Sequence, residues 1–163
     1  MGLGINYAVR IAKAEHAAPL LKAAGAEAKR LKWKSAHRKR GLQRVEFAPH
    51  PKCEPVILDF SAGLVCDWYV KTNYAPASIH MSVVAFLDTI RPLCKSMKVE
   101  DELGYWKRRD AAALRKALDE FNGVLHATQR KAPTRPITFT IGAYTVTGDG
   151  KPIKQRGTRI TVK

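Results

Sequence analysis

Gly4-Ile5-Asn6-Tyr7-Ala8-Val9-Arg10-Ile11 gives way, four residues later, to Glu15-His16-Ala17-Ala18-Pro19-Leu20-Leu21-Lys22-Ala23-Ala24, and the change of period between them sets the class of fold. In the first stretch Ile5, Tyr7, Val9 and Ile11 alternate with Asn6, Ala8 and Arg10, the two-residue repeat of a strand with one buried face. In the second, Leu20, Leu21, Ala24, Ala28 and Leu31 keep helical spacing along one side, in a run of Ala, Leu, Lys and Glu that continues to Trp33. Pro19 fits the first turn, where its missing N–H loses no partner. Gly25 weakens the middle by about 1 kcal/mol relative to alanine. The helix is predicted to run on into Lys32-Trp33-Lys34-Ser35-Ala36-His37-Arg38-Lys39-Arg40, with Gly41 as its stop.

Outward from there, Pro49-His50-Pro51 marks a turn. Val56-Ile57-Leu58-Asp59-Phe60 and Cys66-Asp67-Trp68-Tyr69-Val70 read as two strands joined through Ser61-Ala62-Gly63. Residues 79–97 read as a helix with Ile79, Val83, Phe86, Leu87, Ile90 and Leu93 or Cys94 on one face, and Pro92 predicts a break near Arg91. Asp110 is a good N-cap for a helix over residues 111–127, with Leu114, Leu118, Phe121 and Leu125 as its buried stripe. Residues 136–147 alternate as one strand, and Gly148-Asp149-Gly150 turns the chain into a last strand near residues 158–162. The order β-α-β-β-β-α-α-β-β predicts a single α+β domain over residues 1–163, a mostly antiparallel sheet with about three helices packed on it.

Charge narrows the partner. The chain of 163 residues has a net charge of +15, unevenly placed. Residues 1–52 carry 12 Lys and Arg against 3 Asp and Glu, residues 53–127 carry 9 against 10, and residues 128–163 carry 8 against 1. A near-neutral middle is thus flanked by two basic ends, which draw anions without specifying a fold. An apolar fraction of 45% and 3 Trp argue for a folded protein with a real core. The odd set of 3 Cys suits reduced thiols rather than a disulfide framework. With no secretory pattern at the N-terminus and no run of roughly 20 apolar residues, the expected location is the cytoplasm, away from membranes.

The sharpest candidate site is Lys32, Trp33 and Lys34 with Arg38, Lys39 and Arg40: clustered cations around an aromatic suit a phosphate backbone through charge and cation–π contact. The plainer reading of the same residues is a solvated face, or a helix C-terminus whose cations complement the macrodipole. Lys154 and Arg156 share one face of an extended chain beyond the last turn, as a basic ribbon or as protection of a sheet edge. Glu100-Asp101-Glu102 could bind a divalent cation or supply an acid–base pair, although it reads more simply as a loop between helices whose acids pair with Lys107, Arg108 or Arg109. Cys66 and His80 invite a thiol nucleophile with Asp67 or Asp88 orienting the ring, against the simpler reading of Cys66 as a small buried thiol. His37, His50, Cys53 and Cys66 lack the close paired spacing of a zinc site, so neither metal nor cofactor is expected. Trp68, Tyr69, Tyr105 and Trp106 read as core and rim aromatics.

One part of the chain resembles a known group. Cys66-Asp67-Trp68-Tyr69-Val70-Lys71-Thr72-Asn73-Tyr74-Ala75, then His80-Met81-Ser82-Val83-Val84 and Leu87-Asp88, then Val99-Glu100-Asp101-Glu102 with Tyr105-Trp106-Lys107-Arg108-Arg109-Asp110, is similar to a set of small bacterial proteins of no established activity. They share a Cys, a Lys-Thr-x-Tyr-Ala, a His leading a helix, and an Asp-Glu-x-x-(Phe/Tyr)-Trp-x-(Lys/Arg)-Arg-Asp motif. The resemblance covers residues 66–127 and implies a bacterial origin and a shared fold, but no reaction. The expectation is therefore a non-enzymatic binding module for nucleic acid or another polyanion. Its alternatives are a small enzyme or small-ligand protein with a pocket around Cys66, His80, Asp101, Glu102 and Trp106, or a partner of an acidic protein.

Overall fold

The computed structural model describes residues 3–37, 43–131, 139–141, 144–146 and 152–153. Contacts divide the chain into two units, residues 3–118 and a second made of residues 1–2 and 119–163. The first contains β1 (Gly4–Arg10), α1 (Ala17–Arg30), β2 (Lys34–His37), β3 (Arg44–Ala48), β4 (Val56–Asp59), β5 (Val65–Lys71), α2 (Ala77–Ile90), β6 (Ser96–Asp101) and the single turn α3 (Tyr105–Arg108). The fold is α+β, and all the strand pairs among the described residues are antiparallel.

Two three-stranded sheets build the first unit, ordered β5-β1-β6 and β2-β3-β4. On β1, Ile5 pairs with Val70 and Asp101, Tyr7 with Trp68 and Val99, and Val9 with Cys66 and Met97, so these nine side chains share one face. That face meets the apolar sides of α1 and α2 and the residues Val45, Phe47, Val56 and Leu58 of the second sheet in one core. The opposite face carries Asn6, Tyr69 and Glu100 in register.

Where the two sheets meet, side chains stand in for a strand partner. The Tyr7 hydroxyl donates to the Ile57 carbonyl (2.7 Å) and accepts from the Ile57 amide (2.8 Å). Cys66 Sγ accepts from the Asp59 amide (3.3 Å) and donates to the Ile57 carbonyl (3.4 Å). The buried main-chain groups of β4 on that side are thereby paired without a ladder. Gly4 is fixed for a different reason: a Cβ there would sit 2.0 Å from the Val70 carbonyl oxygen.

The first helix ends earlier than its sequence predicts, and its end explains why. Lys32 takes a left-handed conformation (φ 58°), its amide reaches the Lys29 carbonyl (3.0 Å), and the Trp33 amide reaches that of Ala28 (2.8 Å). This pair of bonds is a Schellman stop, with lysine where glycine usually stands. The basic segment therefore continues not as helix to Gly41 but as β2, paired with β3 from Lys34↔Ala48 to His37↔Val45.

The other breaks follow their residues more closely. The second helix ends at Ile90 and passes through a 3-10 turn, Arg91–Leu93, as Pro92 requires. Residues 96–101, expected as helix and then loop, form strand β6. Asp110 Oδ1 caps α4 (Ala111–Lys131), accepting from the Ala112 and Ala113 amides at 2.9 Å each. Leu114, Leu118, Phe121 and Leu125 form its buried stripe. In the second unit, the single strand expected over residues 136–147 is two, β7 (Phe139–Ile141) and β8 (Tyr144–Val146), with β9 (Pro152–Ile153) paired to β8. The turn at residues 148–150 and the last strand at 158–162 lie outside the described residues.

Candidate functional site

The basic segment is laid out by the stop at Lys32. Lys29, Arg30, Lys32 and Lys34 are exposed around it. Trp33 turns inward instead, stacking at 5.1 Å between centroids against Phe86 of α2, so its indole belongs to the core and is withdrawn from any stacking surface. Arg38, Lys39 and Arg40, in the connection from β2 to β3, and Lys154 and Arg156 lie outside the described residues.

What the sequence hid is the neighbourhood of this segment. Glu27, on the last turns of α1, is held by Arg30 through bonds of 2.8 and 2.6 Å, near Thr89 on the last turn of α2, whose hydroxyl donates to the Ala85 carbonyl (3.0 Å). The Arg30 bond first, then its charge and Thr89, outweigh burial and hold the Glu27 carboxyl below its usual range. Together with the Trp33–Phe86 contact, this brings the C-terminal turns of the two helices side by side. Beyond α2 stands Arg91, whose guanidinium lies 5.8 Å from the Trp106 ring centre, while that of Arg109 lies 4.9 Å from it. Asp88 grips Arg109 through two bonds, 2.6 and 3.0 Å. The nominally neutral middle of the chain thus adds a cation–aromatic group at the C-terminal end of α2. Tyr105-Trp106-Lys107-Arg108-Arg109 carries the same signature as Lys32-Trp33-Lys34 and was the available clue.

The residues considered for chemistry fall into separate places. His80, on α2, is wholly buried: Nδ1 is 2.7 Å from the Thr72 hydroxyl, and Nε2 is 3.2 Å from Asp101 Oδ2, near enough for attraction but poorly aligned for a hydrogen bond. Asp101 also accepts from the Leu103 (2.8 Å) and Trp106 (2.7 Å) amides, tying the start of α3 to β6. Burial alone would raise this carboxyl, but His80 and the two amides outweigh it and hold it below the usual range. A hydroxyl, an imidazole and a carboxylate in line suggest a hydrolase triad, yet Thr72 and His80 are sealed from solvent and present nothing to a substrate.

Glu102, next in the chain, faces the other way, accepting from the Gly4 amide (2.7 Å) and the Tyr69 hydroxyl (3.2 Å) on the opposite side of the sheet from His80. Burial, reinforced by the Asp101 charge, pushes its carboxyl up against the lowering effect of those two donors. Cys66 is occupied with β4, and Asp88, once a candidate to orient His80, is on Arg109 instead. Burial raises all three thiols, Cys53 to about 12 and Cys94 to about 11, so they are protonated near neutrality and not nucleophilic.

A cleft of about 190 Å³ opens beside Ile11, Ala17, Gln43, Phe60, Ser61 and Leu64, and none of Cys66, His80, Asp101 or Glu102 lines it. Among the described residues no group of three His, Cys, Asp or Glu is placed to hold a metal ion, and no helix is long and apolar enough to cross a membrane. No protein-family model, curated protein or solved structure matches the chain.

Proposed function

We propose that this protein is a binding module for nucleic acid or a similar polyanion, engaged through the basic surface that begins at the end of α1. The observation that carries this reading is the stop at Lys32. It turns the chain so that Lys29, Lys32 and Lys34 stand exposed while Trp33 anchors them to the core. The backbone that carries these cations is a helix end and a strand rather than a floppy tail, so binding has no backbone to order there. The macrodipole explanation applies to Lys29 and Arg30 in the last helical turn; it does not reach Lys34, on a strand. The sealed His80 cluster and the protonated thiols favour binding over catalysis.

Fluorescence anisotropy with labelled oligonucleotides, titrated from low to physiological salt, tests it. Wild type is expected to bind with log affinity falling by several units per unit of log salt. The variant Lys29→Ala/Lys32→Ala/Lys34→Ala is expected to weaken binding and reduce that slope by about 2–3, one counterion for each lost phosphate contact. An unchanged slope in the triple variant would remove the reading. Binding by an acidic protein in place of any oligonucleotide would turn it to the other anionic partner.

A further inference from the structure

Resting on the nucleic-acid reading, we propose that Arg91, Trp106 and Arg109 form a second contact station for the same ligand, and that the ligand is a single strand rather than a duplex. Two guanidinium groups converge on one half-buried indole, at 5.8 and 4.9 Å. Arg109 holds its place in a left-handed backbone (φ 55°), a conformation sparsely used by side chains with a Cβ, and Asp88 locks its guanidinium with two hydrogen bonds. That lock leaves Arg109 positioned before any ligand arrives. Its side chain remains 41% accessible, and Arg91 is exposed at the helix end. Asp88 pairs with Arg109, and Arg91 adds a second cation over the same indole.

Its place in the molecule joins it to the first surface. α1 and α2 pack together through Trp33 and Phe86, and Arg91 follows the last residue of α2 as Lys29 and Arg30 end α1, so these cations stand at the same end of the helix pair. A strand crossing the ends of α1 and α2 would thus meet Lys29, Arg30 and Lys32 and then Arg91 and Arg109 without leaving the surface. The chemistry selects the ligand. Guanidinium groups take phosphate oxygens in a fork. The exposed guanidinium planes, backed by the Trp106 ring, offer stacking to a base only where the base is free of its own stack, which a duplex does not supply.

The test measures binding of wild type, Arg91→Gln, Arg91→Glu and the Lys29/Lys32/Lys34 triple alanine variant to a labelled oligo-dT and to a duplex of equal length, with thermal melts of every variant. Wild type is expected to prefer the single strand, and Arg91→Glu to lose about tenfold on it with melting unchanged. Arg91→Gln should lower the salt slope by about 1. Indole fluorescence should change on binding in wild type and respond less in Arg91→Glu. Equal binding by Arg91→Glu, with loss in the triple variant, would overturn the second station and leave the first. Preference for the duplex would overturn the single-strand assignment. Failure of wild type to bind either nucleic acid would overturn both readings together.

Discussion

Asp101 and Glu102 are adjacent carboxylates driven in opposite directions, and the difference is one of facing. Asp101 looks into the core, where His80 and two amides favour its anion; Glu102 looks out through a half-buried site and is disfavoured as an anion. A carboxyl lowered in the folded state contributes stability above its unfolded pKa, and that stability is lost as pH falls through the lower folded value. A carboxyl raised by folding does the reverse. Asp101→Asn is therefore expected to destabilise by about 2–3 kcal/mol at pH 7, through the unpaired amides and the abandoned imidazole. Glu102→Gln should stay within about 1 kcal/mol of wild type, since its carbonyl still accepts from Gly4. Denaturant melts at pH 7 and near pH 3 check both, and the Asp101→Asn deficit should narrow as pH falls below the ordinary aspartate range. Tyr7→Phe leaves the Ile57 amide without its partner in a dry site, the carbonyl keeping Cys66, and is expected to cost about 2 kcal/mol, read in the same melts. At this scale the sequence was legible for Cys66, whose apolar strand marked it as a buried thiol. It was misleading for Trp33, because an aromatic between lysines looks the same whether it points out or in.

Among elements, β1, α1, β4, β5, α2 and α4 follow from periodicity and from Pro92 and Asp110. The ones that escaped share a cause. The stop of α1 falls on Lys32, where a glycine would have announced it, so the helical pattern overran into β2 and hid the hairpin with β3. Yet Val45 and Phe47 alternate with Arg44 and Glu46 and were readable as a strand. β6 places only Met97 and Val99 between Lys98 and Glu100, a thin signal for an edge strand following a helix. Lysine in a left-handed cap is a compromise that can be measured. Lys32→Gly is expected to raise stability by about 1 kcal/mol by relieving the backbone, while lowering affinity for oligonucleotides by removing a cation. Gly25→Ala serves as the contrast: a Cβ there meets nothing within 4 Å, so it should stabilise by up to about 1 kcal/mol with affinity unchanged. Thermal melts paired with anisotropy titrations separate the two.

For the molecule as a whole, the charge of +15 was visible from composition, but its arrangement was not. Counting residues 53–127 as neutral concealed that Arg91 and Arg109 gather at one end of α2, while carboxylates such as Asp101 and Glu102 are spent on amides. Contacts distant in sequence decide this, and no local pattern encodes them. A ligand that binds only the folded chain must also raise its melting point. An oligonucleotide at a hundredfold excess over its dissociation constant is expected to add about 2.7 kcal/mol, and scanning calorimetry with and without it checks the linkage. The hydroxyl of Tyr7 has a further consequence. The Ile57 amide is shielded from solvent by a side chain from another sheet rather than by its own ladder, so its exchange with deuterium reports the two sheets parting while each remains paired. One amide signal can thus time a breathing motion that leaves every strand register intact.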